Sequence, residues 1–261
     1  MRLGLNKSGY AGERIDISSV VRESCRAAAA SGWACEELGF QDRPALPMLT
    51  RIQGGDRPRV YLSTGIHGDE PAGPLAALDL LRSDGWPSQI DLWLCPCLNP
   101  CGFEQGTRAG REGLDLNREY HRRIAPEVSA HMDWLDRQPR FDLAICLHED
   151  WESNGFYLYE LNLGAGASLS ESIIRAVEPV CPIDLAETIE GRPASGGIIR
   201  PNPDPHSRPE WPEAFYLVQR KTAVSYTLES PSDFPLGVRV EALRCGVLAA
   251  LETWVRLRAQ G

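Results

Sequence analysis

Two histidines and two glutamates in this 261-residue chain stand where hydrolytic chemistry could be done. His67 and Glu70 sit three positions apart in STGIHGDEPAGP, residues 63–74, directly after an apolar run. Such a pair offers an imidazole nitrogen and a carboxylate oxygen from one short turn. A catalytic zinc takes three protein ligands of these types and keeps a further position open. The pair alone does not separate a metal site from a polar turn, because so short a pattern arises by chance. His148 follows FDLAICL (141–147) at once, and Glu229 follows TAVSYTL (222–228) at once. His148 would complete a ligand set with His67 and Glu70, leaving Glu229 free as a general base toward water.

The elements that must carry these residues are legible from periodicity. PMLTRI (47–52), RVYLST (59–64), QIDLWLCP (89–96), FDLAICL (141–147) and TAVSYTLE (222–229) have strand character. Helical spacing runs through Asp16–Ala30, Glu70–Leu81 and Pro126–Leu135, and a final helix puts Val240, Leu243, Val247, Leu251 and Trp254 on one face. Alternating strands and helices imply a three-layer α/β/α fold with a mixed, largely parallel sheet. A single catalytic domain over 1–261 is expected, with 1–45 as a helical N-terminal appendage. Ligands in open α/β sheets gather beyond the carboxyl ends of the strands. That rule brings the two imidazoles and two carboxylates to one edge, although they come from distant parts of the chain.

Composition narrows the function classes. Hydrophobic residues at 43% supply a sizeable core, and a net charge of -9 argues against nucleic acid or anionic membranes as partners. The N-terminal MRLGLNKSGYAGERIDISS lacks the apolar core of a secretory signal, and no stretch approaches the roughly 20 apolar residues of a membrane span, so a cytoplasmic protein is expected. The eight cysteines are expected reduced, as small buried residues, and CPCLNPC lacks a second pair at zinc-ribbon spacing.

LNPCGFEQGTRAGREGLDLNREY, residues 98–120, lies between the His-x-x-Glu pair and the later strand-end residues. With that ordered set, the chain resembles the M14-type zinc carboxypeptidases, the superfamily that also contains aspartoacylase and succinylglutamate desuccinylase. The resemblance spans about residues 47–230. It implies one zinc ion on His67, Glu70 and His148, with Glu229 as the catalytic glutamate. It makes Arg108 the arginine that polarises the scissile carbonyl, and Asn117 with Arg118 the pair that receives the substrate's terminal carboxylate. A planar guanidinium suits that task, since it grips a carboxylate through two parallel hydrogen bonds. Gly110 departs from the carboxypeptidase pattern, which often has Asn there, and Arg111 offers a second registration for the carbonyl-facing arginine.

Other polar residues divide between function and surface. His121 and His131, in EYHRRIAPEVSAHMDW, read as a solvated face, and His206 as a surface residue of the Pro- and Gly-rich loop 190–213. Loops of that length in compact domains are often lids or binding loops, so the 190–220 region is expected to line a specificity pocket. Tyr216 is the nearest candidate for the family's mobile tyrosine, with core packing as the alternative. Glu149 and Asp150 are either supports of the metal ligands or exposed.

The expected activity is zinc-dependent hydrolysis of an amide bond next to a free carboxylate. The substrate would be a small peptide, or alternatively an N-acyl amino acid as in the deacylase branch. Only one helix follows Glu229, which favours the peptidase branch. A noncatalytic carboxylate-binding module is the third reading.

Overall fold

The computed structural model describes residues 13–164 and 166–259. Helix α1 (Ile17–Ala30) starts where Asp16 accepts hydrogen bonds from the backbone and hydroxyl of Ser19. Strands β1 (Ala34–Leu38), β2 (Leu46–Arg51) and β3 (Arg59–Thr64) follow, then α2 (Ala72–Ser83), β4 (Asp91–Cys95) and the short α3 (Pro100–Gln105). Helix α4 (Pro126–Arg137) leads to β5 (Leu143–Asp150), β6 (Tyr157–Asn162) and α5 (Ser170–Val177). Short strands β7 (Thr188–Ile189), β8 (Arg192–Ser195) and β9 (Ile198–Ile199) precede α6 (Glu213–Arg220), β10 (Val224–Pro231) and α7 (Leu236–Arg258).

The strands form a mixed sheet in the order β1-β2-β4-β3-β5-β10-β6-β9-β8-β7. Its centre, β4-β3-β5-β10, is parallel. Antiparallel pairs flank that centre at β1-β2-β4 and β10-β6. Alternation along each central strand feeds two separate cores. Val60 and Leu62 of β3, with Leu143, Ile145 and Leu147 of β5, pack under α2, α5 and α7. Tyr61, Trp93, Ala144 and Cys146 point the other way, toward Val128, Met132 and Leu135 of α4 and Leu217 of α6. This is the expected three-layer α/β/α arrangement.

Two sequence expectations change. Residues 34–38, expected within a helical appendage, form edge strand β1, antiparallel to β2. Trp33 and Leu38 are buried at its ends, so these residues are held by sheet pairing. Residues 1–12 of the expected appendage, with most of the stretch read for a signal, lie outside the described residues. The 190–213 stretch is not wholly irregular either: β8 and β9 pair antiparallel, and β9 extends the main sheet beside β6. Among the described residues, no helix is long and apolar enough to cross a membrane.

Candidate metal centre

Strand β3 ends at Thr64, and Gly65 then turns at a φ of 65°, a conformation natural to glycine. The turn is strapped down by Asn99, whose backbone N–H donates to Gly65 O at 2.8 Å and whose side chain donates to Ile66 O at 3.1 Å. Gly68 packs so closely on α3 that a Cβ there would meet the Gly102 carbonyl carbon at 1.9 Å. This close contact fixes the path of the loop that carries His67 and Glu70.

His148 lies on β5 and Glu229 on β10, as Cα partners in the parallel ladder. His67, Glu70 and His148 are buried, with one donor atom from each lying within 4.8 Å of the others. His67 Nδ1 is 2.5 Å from Glu70 Oε1, and His148 Nδ1 is 3.0 Å from Glu70 Oε2. Lone pairs this close require a proton or a cation between them. Two imidazoles and one carboxylate, converging in a buried pocket, form a donor set suited to zinc.

Asp115 supports this set, although sequence reasoning gave it no role. Its Oδ1 lies 3.1 Å from His67 Nε2. With the proton on Nε2 donated to Asp115, Nδ1 keeps the lone pair that a metal ligand needs. Asp115 Oδ2 also accepts from Arg108 Nε at 3.1 Å, and Arg108 Nη1 donates to Glu70 Oε1 at 3.3 Å. Arg111 turns outward to Asp42, so of these two arginines it is Arg108 that lines the cavity.

Electrostatics separate the carboxylates. Burial pushes Glu70 upward, but the facing charges of His67 and His148 outweigh it and hold its pKa below the usual range. Asp115 behaves alike, with burial overcome by His67 and the arginines. Glu229 goes the other way, raised by burial and then by Glu70, Glu190 and Asp150. Burial lowers His148 despite Glu70, whereas for His67 the carboxylates outweigh burial and raise it.

The cavity, about 570 Å³, is lined by all seven residues singled out from the sequence: His67, Glu70, Arg108, Asn117, Arg118, His148 and Glu229. Asn117 and Arg118 sit on a 3-10 turn over 116–118. Asn117 Oδ1 accepts from the Glu213 N–H at 2.8 Å, which leaves its Nδ2 as the free donor. From the 190–220 region, Arg192, Arg208 and Phe215 line the same cavity.

Elsewhere the structure decides between readings or corrects them. Tyr216 is core: it is buried and donates to Asp136 at 2.6 Å, away from the cavity. Tyr159, unnoticed in the sequence, lines the cavity and donates to Glu190. Glu149 and Asp150 are buried. Glu149 accepts from Ala72 N–H at the start of α2 and pairs with fully buried Arg239 of α7. His131 is not on a solvated face but fully buried, because it shares a helical stripe with Val128 and Leu135. Its Nδ1 accepts from Tyr120 at 2.7 Å, while Nε2 donates to Tyr61, which donates to Glu213, both at 2.8 Å. His121 and His206 are exposed, and the eight cysteines are free thiols, five of them buried.

Comparison with known proteins agrees with this geometry. Residues 56–160 match the family profile described as the succinylglutamate desuccinylase/aspartoacylase catalytic domain. No curated protein sequence matches significantly. The fold is similar to that of a protein from Shewanella denitrificans OS217 provisionally named a metallopeptidase, with a TM-score of 0.80 at 22% identity, covering 95% of this chain and 98% of that one. It is similar to a metallo-carboxypeptidase from Burkholderia cenocepacia, with a TM-score of 0.68 at 18% identity, over 93% of this chain and 70% of that one. A metallo-carboxypeptidase from Pseudomonas aeruginosa, solved with (2-guanidinoethylmercapto)succinic acid, gives 0.67 at 20% identity, over 93% and 70%. Over residues 56–160 the chain is thus similar to the succinylglutamate desuccinylase/aspartoacylase catalytic domain, and over most of its length it has the fold of these metallopeptidases and metallo-carboxypeptidases.

Proposed function

We propose that the protein is a zinc-dependent metallocarboxypeptidase that hydrolyses the amide bond next to the free carboxylate of a small peptide. The observation that carries this reading is the convergence of His67, Glu70 and His148, with Glu229 as register neighbour and Arg108, Asn117 and Arg118 on the same cavity wall.

In this proposal His67, Glu70 and His148 hold one zinc ion, and Asp115 fixes the His67 ring in the ligating tautomer. Bound there, zinc would act as a Lewis acid on the scissile carbonyl and make water acidic enough to be deprotonated near neutral pH. Arg118 and the free Nδ2 of Asn117 grip the substrate carboxylate and set the amide in register with Glu229. Arg108 turns its guanidinium toward the oxygen that gains charge as the carbonyl is attacked. Glu229 takes a proton from the attacking water and returns it to the leaving nitrogen, so that one water adds across one amide. Its raised pKa, from burial and neighbouring carboxylates, favours the return of that proton. A cation on Glu70 and the histidines would pull Glu229 back toward ionisation.

Hydrolysis of an N-acyl amino acid is the second reading, supported by the desuccinylase/aspartoacylase profile. The free thiols fit a reducing compartment, and we place the protein in the cytoplasm on that ground. The test is incubation of the zinc-loaded chain, beside Glu229→Gln, with free-carboxylate peptides and N-acyl amino acids, reading products by mass. Zinc-dependent release of a C-terminal residue supports the peptidase; release of an acyl acid selects the second reading. Stoichiometric zinc with no product from either panel would sink both.

A further inference from the structure

The cavity continues down the sheet face below the metal ligands, and that depth is shaped by residues of this chain outside the recognised motifs. Along β10, Thr227 and Ser225 share a face with Glu229; they pair in register with Cys146 and Ala144 of β5 and with Tyr159 and Leu161 of β6. At about 3.4 Å per residue, Ser225 lies about 14 Å along the strand from Glu229. The Ser225 hydroxyl is buried, lines the cavity and has no hydrogen-bond partner among the described residues.

The same cavity is also lined from the segment between β7 and α6 and from α6 itself. Arg208 stacks its guanidinium 4.1 Å from the centre of the Phe215 ring, which itself lines the cavity. Arg192 and Arg118 line it too. Burial, followed by the charges of Arg192 and Arg118, pulls the Arg208 pKa down, so the three cations feel one another. Among the described residues, no carboxylate lies in ion-pair range of any of them, although other arginines at the site have such partners. The acids of the cavity are differently placed. Glu190 accepts from Tyr159, Asp150 accepts from Tyr157 at 3.1 Å, Glu210 stands 3.6 Å from Arg122, and Glu152 is exposed.

One substrate carboxylate accounts for Arg118. It leaves two half-buried guanidinium groups and an unpartnered hydroxyl facing the space that the neighbouring side chain would fill. Crowding like charges without counter-ions is unfavourable unless an anion joins them. We propose that Arg208 and Arg192, above the Ser225 floor, form a second anion subsite that selects a substrate whose terminal residue carries an acidic side chain.

This inference rests on the carboxypeptidase reading for its substrate but not for its binding test. The zinc-loaded protein is assayed on N-acyl dipeptides ending in Glu, Gln, Leu or Lys. A C-terminal Glu should exceed Gln in kcat/KM by about tenfold or more, the scale of a lost charge-assisted hydrogen bond. Arg208→Ala should collapse that ratio toward one, mainly through KM, and Arg208→Glu should move preference toward Lys. Separately, calorimetry should find glutarate bound at least about tenfold tighter than butyrate, with the advantage lost in Arg208→Ala and reduced in Arg192→Ala. A wild type indifferent to side-chain charge, or a glutarate advantage that survives both substitutions, overturns the subsite. If no peptide is cleaved, the proposed function fails while calorimetry still decides the subsite.

Discussion

His148 and Glu229 are Cα partners across the parallel pair β5-β10, so the proposed third metal ligand and the proposed base stand side by side, one strand spacing of about 4.8 Å apart. Neither residue needs a loop to reach the other.

That adjacency makes the two roles separable. Glu229→Gln keeps the side-chain shape and is not part of the three-ligand cluster. It should bind one zinc per chain by elemental analysis and lower kcat by about 10²- to 10⁴-fold. Wild-type turnover in this variant would remove Glu229 from the mechanism. His148→Ala, in contrast, should lose stoichiometric zinc.

Asp115 touches His67 and Arg108 at once. Asp115→Ala should weaken zinc affinity by about 10- to 100-fold in a chelator competition, as loss of an outer carboxylate does elsewhere. Unchanged affinity would make Asp115 a structural cap of the 116–118 turn alone.

Arg118→Ala should raise KM for free-carboxylate peptides by about tenfold or more while leaving kcat closer to wild type. C-terminally amidated peptides should be insensitive to the change. Equal losses on both substrates would remove Arg118 from carboxylate recognition.

Stability should carry the signature of Glu213. Burial pushes this carboxyl up to about 7, against hydrogen bonds from Ser63, Tyr61 and Cys146 that act to lower it. The folded state then holds a proton that the unfolded chain, with a pKa near 4.5, releases. Stability from this group is therefore full below about pH 4.5 and is lost as pH rises to about 7, by about 2–3 kcal/mol. Glu213→Gln should flatten that part of the denaturant-midpoint profile and gain most at pH 8. An unchanged slope between wild type and variant would contradict the assignment.

Gly68→Ala should lower the denaturation free energy by about 3 kcal/mol, because the added methyl meets backbone rather than a yielding side chain. Circular dichroism melts would read it; a neutral outcome would mean that the loop can move away from α3.

The site was legible where chemistry coincides with the end of an apolar run. His148 and Glu229 announce themselves as the first ionisable residues after uncharged strand-like runs, although both lie inside their strands, and His67 follows a strand and a glycine turn. Asp115 was hidden because it sits in a charged loop and reaches the metal ligands through a contact 48 residues back in the chain. Tyr159 was hidden because β6 reads as aromatic core until its register beside β10 is known. His131 misled because charged neighbours mask a stripe in which it replaces an apolar residue. The short pairings of β7–β9 were equally invisible, since strands of two to four residues leave too little period to detect.

The register of the central sheet also orders events in time. His67 and Glu70 are near neighbours in any conformation, but His148 reaches them only after β3 and β5 pair, joining segments about eighty residues apart. Closing so long a span is slow compared with forming a turn or a helix. Full zinc affinity should therefore arise late in refolding, which would make metal uptake a clock for completion of the sheet.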